Sequence, residues 1–407
     1  MKKMLFTPGI SGVEALGTIT RLLAVADEIR KIDSDTEIVF RAEGIEAAYA
    51  REHQYEVVGG YPAYIMGLPK FIGTIAKKWR FCGPIPDIPS MNQVIRLKGM
   101  LPYSYVKNTF EDQLRLLEKL QPDCIIGEFD LVMPMAARKL GMKYYSTGQT
   151  PGLKNFYSEI FPEKDQNKAE GAFNYNRVLR KAGLPKIEKV REMFCEYYGT
   201  GIFVPSIPEL EEFPDNPRYI YVGSLIPENF ARREFTWDKK RPLIYVYLSH
   251  SQVAPQQYEK ELIEAFASSE YDVIVTGGGN PYFKKKGEYT VGNVHFFNVV
   301  SSDQVMKFAD LAIHHGGQNS TVQAIINKVP ALIYPGRHFE RYFNAKKAAQ
   351  IGCAYNLPSS SFHKVELIAK VKQILNDSKM KENLATYSAK ILSLGGKRRV
   401  AEIILQS

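Results

Sequence analysis

Short apolar runs separated by longer amphipathic stretches recur along most of the chain. In the first half, the stretch after the first run carries Ile19, Leu22, Leu23, Ala26 and Ile29 at helical spacing. The strands predicted in this half are 4–7, 37–40, 123–127, 144–147, 202–206 and 219–223. Near-continuous apolar strands that alternate with helices are typical of parallel sheets covered on both faces.

A second series of the same kind begins at residue 243. Its predicted strands are 243–249, 271–277, 294–300, 311–315, 331–336 and 353–357. The segment 224–242 between the two series has two prolines, a charge run and little periodicity, so we interpret it as a linker. We therefore predict an α/β protein with two doubly wound, Rossmann-like domains, 1–223 and 243–407, that face a cleft. Ligands are expected at the carboxyl ends of the strands, and the last helix can pack back on the first domain.

Length and charge narrow the class of protein. A chain of 407 residues is too long for one core and suits two domains. Its net charge of +9 favours an anionic partner, and a nucleotide, a phospholipid surface and nucleic acid all satisfy that condition. Four widely spaced cysteines form no C-x-x-C pair, which indicates neither a zinc site nor a disulfide framework. Without a signal peptide pattern or a long apolar run, we expect a cytoplasmic protein.

The region 61–109 differs from the rest because it mixes aromatic and aliphatic residues with several cations. These cations include Lys70, Lys77, Lys78 and Arg80. Such a surface could contact a membrane or an apolar acceptor. The alternative is an ordinary insertion whose apolar residues pack on the first domain.

The run HHGGQNSTVQAI at 314–325 joins a predicted strand to a helical pattern. Asn319 and Ser320 are good N-caps, so the helix is expected to begin near them. Helix N-termini attract anions, the glycines let the backbone approach a bulky anion, and His315 can donate to a phosphate oxygen. The alternative is a capped strand-to-helix turn with two packed or solvated histidines.

The longer context resembles the nucleotide-sugar site of GT-B glycosyltransferases, the UDP-glycosyltransferase and MurG-like group. Their pattern H-x-G-x-N-S/T-x-x-E, followed by G-V-P, P, D-Q and N-A, is matched over roughly 30 residues. The matching positions are His315, Gly317, Asn319, Ser320, Pro330, Pro335, Asn344 and Ala345. The resemblance implies a transferase that moves a sugar from a UDP-sugar to an acceptor hydroxyl, inverting the anomeric carbon and using no metal or cofactor. Its partners would be the nucleotide-sugar donor and a small-molecule or lipid-linked acceptor, with no nucleic acid.

The resemblance also implies which residues hold the donor. The diphosphate would lie on His315 and the turn of Gly316, Gly317, Asn319, Ser320 and Thr321, with Ser249 or Ser251 facing the phosphates and Val300 beside the uracil. Two positions depart from the family pattern. Gln323 stands where relatives have a ribose-binding Glu, and Glu340-Arg341 stand where they have Asp-Gln. Arg341 could therefore pair with the diphosphate or with an acidic donor sugar.

A further departure concerns the catalytic base. Gly17-Thr18 stand where relatives have a Gly-His whose histidine often serves as general base. A threonine hydroxyl is far too weakly basic for that task. Glu128, at the end of a predicted strand, is the first candidate to replace it, and Glu14 is the second. Alternatively, each is a solvated carboxylate, and the acceptor is more acidic than an alcohol.

Two other functions stay compatible with these residues. UDP-sugar epimerases share the two-domain architecture and would hold the diphosphate in the same place. A non-catalytic nucleotide-sugar-binding subunit would explain both Thr18 and Gln323.

Overall fold

The computed structural model describes residues 2–9, 16–59, 64–65, 68–69, 86–167, 171–227, 234–248, 251–278 and 280–407. The chain divides into two compact units. The first consists of 1–78, 89–227 and 394–407, and the second of 79–88 and 228–393. Each unit contains a seven-stranded sheet flanked by helices, so the predicted α/β class with two parallel sheets is confirmed.

The first unit is built on a wholly parallel sheet. Its strands are β1 (Lys3–Pro8), β2 (Glu37–Arg41), β3 (Glu56–Val58), β6 (Cys124–Glu128), β7 (Tyr144–Thr147), β8 (Gly201–Val204) and β9 (Tyr219–Tyr221). The order across the sheet is β3-β2-β1-β6-β7-β8-β9. The short strands β4 (Tyr64–Ile65) and β5 (Leu68–Pro69) pair separately and antiparallel. The sequence pattern did not predict β3, whose three residues are all at least partly exposed.

Helices cover this sheet through apolar faces. They are α1 (Leu16–Ile32), α2 (Gly44–Glu52), α3 (Met91–Leu97), α4 (Tyr103–Leu120), α5 (Met133–Leu140), α6 (Glu163–Gln166), α7 (Ala172–Lys181) and α8 (Glu192–Cys195). In α4, Val106, Phe110, Gln113 and Leu117 recur every three or four residues and are buried. The central strands are buried on both faces, as residues 4–8 of β1 show, which explains their uninterrupted apolar sequence.

The second unit repeats the plan with one difference. Its strands are β10 (Leu243–Tyr247), β11 (Asp272–Thr276), β12 (Tyr289–Val291), β13 (Val294–Phe297), β14 (Leu311–His314), β15 (Ala331–Ile333) and β16 (Ala354–Asn356). Their order is β12-β13-β11-β10-β14-β15-β16, and β12 pairs antiparallel at one edge. The pattern did not predict β12, a short and largely exposed strand. Of residues 224–242, those that are described form no helix or strand.

The helices of the second unit follow its strands. They are α9 (Pro255–Phe266), α10 (Pro281–Lys286), α11 (Ser302–Met306), α12 (Gln318–Ile326), α13 (Phe339–Gln350), α14 (Lys364–Leu375) and α15 (Ser378–Ser393). The last helix, α16 (Gly396–Gln406), belongs to the first unit and packs on α1. The Gly396 N–H donates to the Val222 carbonyl at 2.7 Å, which anchors the start of α16. No helix among the described residues combines the length and apolar character needed to cross a membrane.

Candidate functional site

A turn with a left-handed glycine follows the end of β14 in the second unit. His314 and His315 are both buried, and the Tyr247 ring, at the end of neighbouring β10, lies 5.3 Å from the His315 ring. The Gly316 N–H donates to Nδ1 of His314 at 3.0 Å. Burial lowers the pKa of His314 to about 4, so its imidazole is neutral and can accept this bond.

Gly316 meets two requirements that only glycine satisfies here. Its φ is +83°, in the left-handed region that side chains disfavour. A Cβ would also lie 2.9 Å from the Arg341 carbonyl oxygen and 3.1 Å from the Ile333 side chain. The Asn344 amide, 5% exposed, donates to the Gly316 carbonyl at 2.9 Å and so fixes the turn from α13.

The expected N-cap was wrong by two to three residues. Gly317, with φ −62° and ψ 144°, is the N-cap of α12, and the Thr321 N–H donates to its carbonyl at 3.0 Å. Asn319 and Ser320 therefore lie inside the first turn instead of capping it. The backbone N–H groups of a first turn have no acceptor within their own helix, and they point at the space before Gly317. This arrangement favours an anion at the end of β14.

The start of α13 adds charge to the same end of the sheet. Glu340 Oε1 accepts a hydrogen bond from the Asn344 amide at 3.2 Å. Burial lowers the pKa of the neighbouring Arg341, and the charges of Glu340 and Tyr247 partly oppose that effect. Arg341 thus lies close to Tyr247, the ring that contacts His315. The structure therefore brings His315, Gly316, Glu340 and Arg341 to one sheet end.

The other residues predicted to bind the donor differ in burial and in their contacts. The Ser251 hydroxyl is engaged in its own turn, donating to the Val253 carbonyl at 3.0 Å and accepting from its N–H at 3.1 Å. Val300 is partly buried after β13 and contacts the core, while Thr321 and Gln323 are buried on α12. Ser249 lies outside the described residues, as does Glu14.

Sequence reasoning missed one support of this site. The Asp87 carboxylate accepts from Arg337 Nε at 2.7 Å and from the Gln252 amide at 3.0 Å. Gln252 in turn accepts from the Arg337 N–H at 2.7 Å, and Ile88 exchanges backbone bonds with Arg337 and Phe339. Asp87 and Ile88, which are distant in sequence, thus hold the loop between β15 and α13. No local sequence pattern predicts this contact.

Within the described part of the chain, no group of three or more His, Cys, Asp or Glu side chains is placed to hold a metal ion. The groups at the end of β14 include helix amides, the His315 imidazole and the Arg341 guanidinium. These groups suit a phosphorylated ligand.

Comparison with known proteins agrees with this geometry. Residues 263–405 match the family described as "Erythromycin biosynthesis protein CIII-like, C-terminal domain". The NDP-glycosyltransferase YjiC of Bacillus subtilis (strain 168) is 25% identical over 310 residues, which span 75% of this chain and 78% of that protein. The chain is a GT-B glycosyltransferase.

Solved structures show the same fold for the glycosyltransferase. CalG4, the calicheamicin glycosyltransferase, matches with a TM-score of 0.73 and 17% identity, over 100% of this chain and 97% of that one. SsfS6, a glycosyltransferase of Streptomyces sp. SF2575 solved with thymidine diphosphate, matches with a TM-score of 0.67 and 17% identity over 100% of both chains. Relatives named as glycosyltransferases support transfer over epimerisation or mere binding.

The first unit of the glycosyltransferase holds the predicted catalytic carboxylate in an ion pair. Glu128 ends β6, and its Oε1 accepts from Arg21 Nε at 2.8 Å and from a second nitrogen of the same guanidinium. The two side chains are 4% and 9% exposed. Glu128 Oε2 is buried and has no hydrogen-bond partner among the described residues. Thr18 lies one helical turn before Arg21 on α1. This helical spacing was the sequence signal that could have indicated Arg21 as the partner of Glu128.

A nearby carboxylate has a structural role. Asp130 accepts from Thr7 Oγ1 at 2.5 Å and from the Gln113 amide at 3.0 Å. It also accepts from the N–H groups of Val132 and Met133 at the start of α5. With its oxygens engaged in this way, Asp130 caps the helix and joins it to β1 and α4.

Lys98 lies at the same end of the first sheet, and it belongs to no sequence motif described above. Lys98 follows α3 and is partly buried, with Nζ 4.7 Å from the centre of the Phe129 ring. Burial lowers the pKa of Lys98 to about 8, while the charge of Glu46 acts in the opposite direction. Perturbed pKa values of this kind are common at functional sites.

Proposed function

We propose that the enzyme transfers a sugar from a UDP-sugar to an acceptor hydroxyl, with inversion at the anomeric carbon and without a metal ion. The observation that carries this proposal is the turn from His314 to Gln318, where a left-handed glycine, a buried imidazole and a helix N-terminus converge. Such a turn can bind a diphosphate through backbone amides, which a helix dipole supports.

The diphosphate would lie against Gly316, Gly317 and the first turn of α12. His315 would donate to a phosphate oxygen, and Arg341 would offset the charge that develops on the leaving group. Groups that are already in place need no reorganisation during the reaction, which is why preorganised donors stabilise a leaving anion well. They also supply the charge compensation that other transferases obtain from a metal.

The rest of the donor would be held by fewer charges than in the family pattern. Gln323 can accept one hydroxyl hydrogen bond from the ribose but brings no charge, and Val300 would flank the base. Glu340 would accept from hydroxyls of the donor sugar while Asn344 holds it in place. A thymine or uracil base is compatible with these contacts, and SsfS6 is one of the similar structures that were solved with thymidine diphosphate.

The acceptor is proposed to be a small molecule or a lipid-linked compound, and not a nucleic acid. A membrane contact through 61–109 belongs to the same proposal. Of that region, 61–63, 66–67 and 70–85 lie outside the described residues. For proton removal the sequence nominates Glu128, whose replacement by glutamine is part of the experiment described below for Lys98.

The donor proposal is tested by thermal shift with UDP, TDP, GDP and their glucose conjugates. A ligand that binds the folded state alone raises its stability in proportion to the logarithm of its concentration. We expect UDP to stabilise the wild type and to stabilise His315→Ala much less. His363→Ala, which changes an exposed histidine in the same unit, is the matched control and should respond like the wild type.

Transfer itself is tested by mass spectrometry with UDP-glucose and a panel of phenols and alcohols. The anomeric configuration of the product follows from its NMR coupling constants, and an assay in EDTA tests the absence of a metal requirement. Epimerised UDP-sugar formed without any acceptor would contradict the transferase proposal. Stabilisation by UDP without turnover on any acceptor would favour a binding role.

A further inference from the structure

Lys98 lies at the end of the first sheet where ligands bind in parallel α/β proteins. Its amine packs on Phe129, the residue that follows the last residue of β6, and Glu46 lies in the first turn of α2, just after β2. The Glu46 charge acts on Lys98, and β1 lies between β2 and β6, so the Phe129 contact and this charge together place Lys98 near the carboxyl end of β1. That point is a topological switch, because the helices after β1 and after β6 lead to opposite edges of the sheet.

The backbone at this point is tightly fixed. Phe129 has a φ of +58°, which is uncommon for a residue with a side chain. The Gly9 N–H donates to the Glu128 carbonyl at 2.8 Å, and a Cβ on Gly9 would lie 1.9 Å from the Phe129 carbonyl oxygen. The Phe129 ring also packs on Phe194, with ring centres 4.9 Å apart. Phe129, on which the Lys98 amine packs, is therefore fixed by Gly9 at its backbone and by Phe194 at its ring.

Two of the groups that the sequence nominated, Thr18 and Glu128, are poorly placed to receive a proton, and the third, Glu14, lies outside the described residues. Thr18 has no basic group, and Arg21 engages one oxygen of Glu128 while the other oxygen is buried. To act as a base, Glu128 would have to leave a buried ion pair, and an isolated buried charge is costly. Lys98 is only partly buried and carries a nitrogen that can be neutral near the pH of the cell.

We propose that Nζ of Lys98 is the general base that accepts the proton of the acceptor hydroxyl. This inference rests on the proposed function. The O–H bond of the acceptor breaks, and its proton passes to the lone pair of the neutral amine, which becomes an ammonium. The acceptor oxygen forms the new bond to the anomeric carbon, and the nucleoside diphosphate leaves with the electrons of the old bond. Glu46 stabilises the ammonium, and an aromatic acceptor would be favoured beside Phe129.

Several charged groups lie on the elements that surround Lys98. They are Glu46 on α2, the Arg21–Glu128 pair on α1 and β6, Arg96 on α3 itself, and Glu163 and Asp165 on α6. Glu46 favours the ammonium, whereas burial favours the neutral amine. Because the base must be neutral, the rate should rise with pH through about 8 and then level off.

The experiment measures kcat/KM against pH for 2-naphthol and benzyl alcohol at saturating UDP-glucose. The variants are Lys98→Met, Lys98→Arg and Glu128→Gln, with Lys119→Met as the control because that lysine is exposed in the same unit. Loss of a general base costs about 100-fold or more. We expect that loss in both Lys98 variants at pH 9, together with loss of the rise near pH 8. A third variant, Lys98→Ala, should show the same loss, and added methylamine should partly restore its activity.

Arginine distinguishes a base from a mere positive charge. A guanidinium stays protonated in proteins, so a Lys98→Arg enzyme with near-wild-type activity would overturn the inference. So would an unchanged pH profile in Lys98→Met, or loss of the rise in Glu128→Gln alone. UDP-induced stabilisation must persist in every Lys98 variant, because the donor turn lies in the other unit. If the wild type transfers to no acceptor, the proposed function fails first.

Discussion

Replacing Gly316 by alanine tests whether the donor turn requires its observed conformation. Placing alanine at a φ of +83° costs about 1–2 kcal/mol. The new Cβ would also lie 2.9 Å from the Arg341 carbonyl oxygen, a backbone atom that cannot move alone. Overpacking of this kind adds about 1–3 kcal/mol. We therefore expect Gly316→Ala to destabilise the second unit by roughly 2–5 kcal/mol.

Gly141 provides the matched control for the conformational part of this cost. It ends α5 at a φ of +67°, and no atom lies within 4 Å of the position that a Cβ would take. Gly141→Ala should therefore cost only about 1–2 kcal/mol. Urea unfolding followed by circular dichroism gives both values, and the excess for Gly316 measures the contact with Arg341 and Ile333.

Donor binding provides the second measurement. With UDP at about 100 times Kd, the wild type gains about 2.7 kcal/mol, and tenfold weaker binding removes about 1.4 kcal/mol of that gain. Moving the Gly316 amide shifts the anion site, so we expect at least that loss in Gly316→Ala and none in Gly141→Ala. If the two alanine variants lose equal stability and both keep the UDP response, the reasoning about this turn is refuted.

Three further predictions concern the support of the two sites. Burial lowers the pKa of His314 from 6.5 to about 4, so the unfolded chain takes up this proton first as the pH falls. Stability should drop by about 3 kcal/mol between those pH values, and urea titrations of His314→Asn, which keeps an acceptor for the turn, should show a smaller drop. Glu128→Ala leaves Arg21 buried without its carboxylate and should cost about 3–5 kcal/mol in urea unfolding, and a stable variant would argue against the pair. Asp87→Ala breaks a largely exposed pair with Arg337 and should change stability by about 1 kcal/mol or less, yet calorimetry should show weaker UDP-glucose binding. Unchanged affinity would mean that Asp87 does not position the loop.

The donor site was largely predictable because its parts are consecutive in sequence. A strand, two glycines and a helix within about a dozen residues must lie together, whatever the rest of the chain does. The helix start was predicted at the wrong residues because Asn319 and Ser320 are better N-caps than Gly317 by composition alone. The first hydrogen bond of α12, from Thr321 to Gly317, is a backbone property that side-chain preferences do not determine.

The missed strands share a different cause. Both β3 and β12 are three residues long, and all their residues are at least partly exposed, so neither shows the buried apolar run by which the longer strands were found. Edge strands obtain their geometry from a neighbour, here β2 and β13, instead of from their own sequence. The docking of Asp87 on Arg337 joins residues that are 250 positions apart, and a single sequence contains no signal for such a contact.

The acceptor half differs because its chemistry depends on contacts between distant elements. This chain has Thr18 where relatives have a histidine, and its Glu128 pairs with Arg21. An imidazole can pass on a proton near neutral pH, whereas a guanidinium cannot, so the pair joins α1 to β6 without relaying a proton. With Thr18 in place of that histidine, another group must accept the proton, or the acceptor must be more acidic than an alcohol. The proposed base, Lys98, follows α3 and packs on Phe129 at the end of β6.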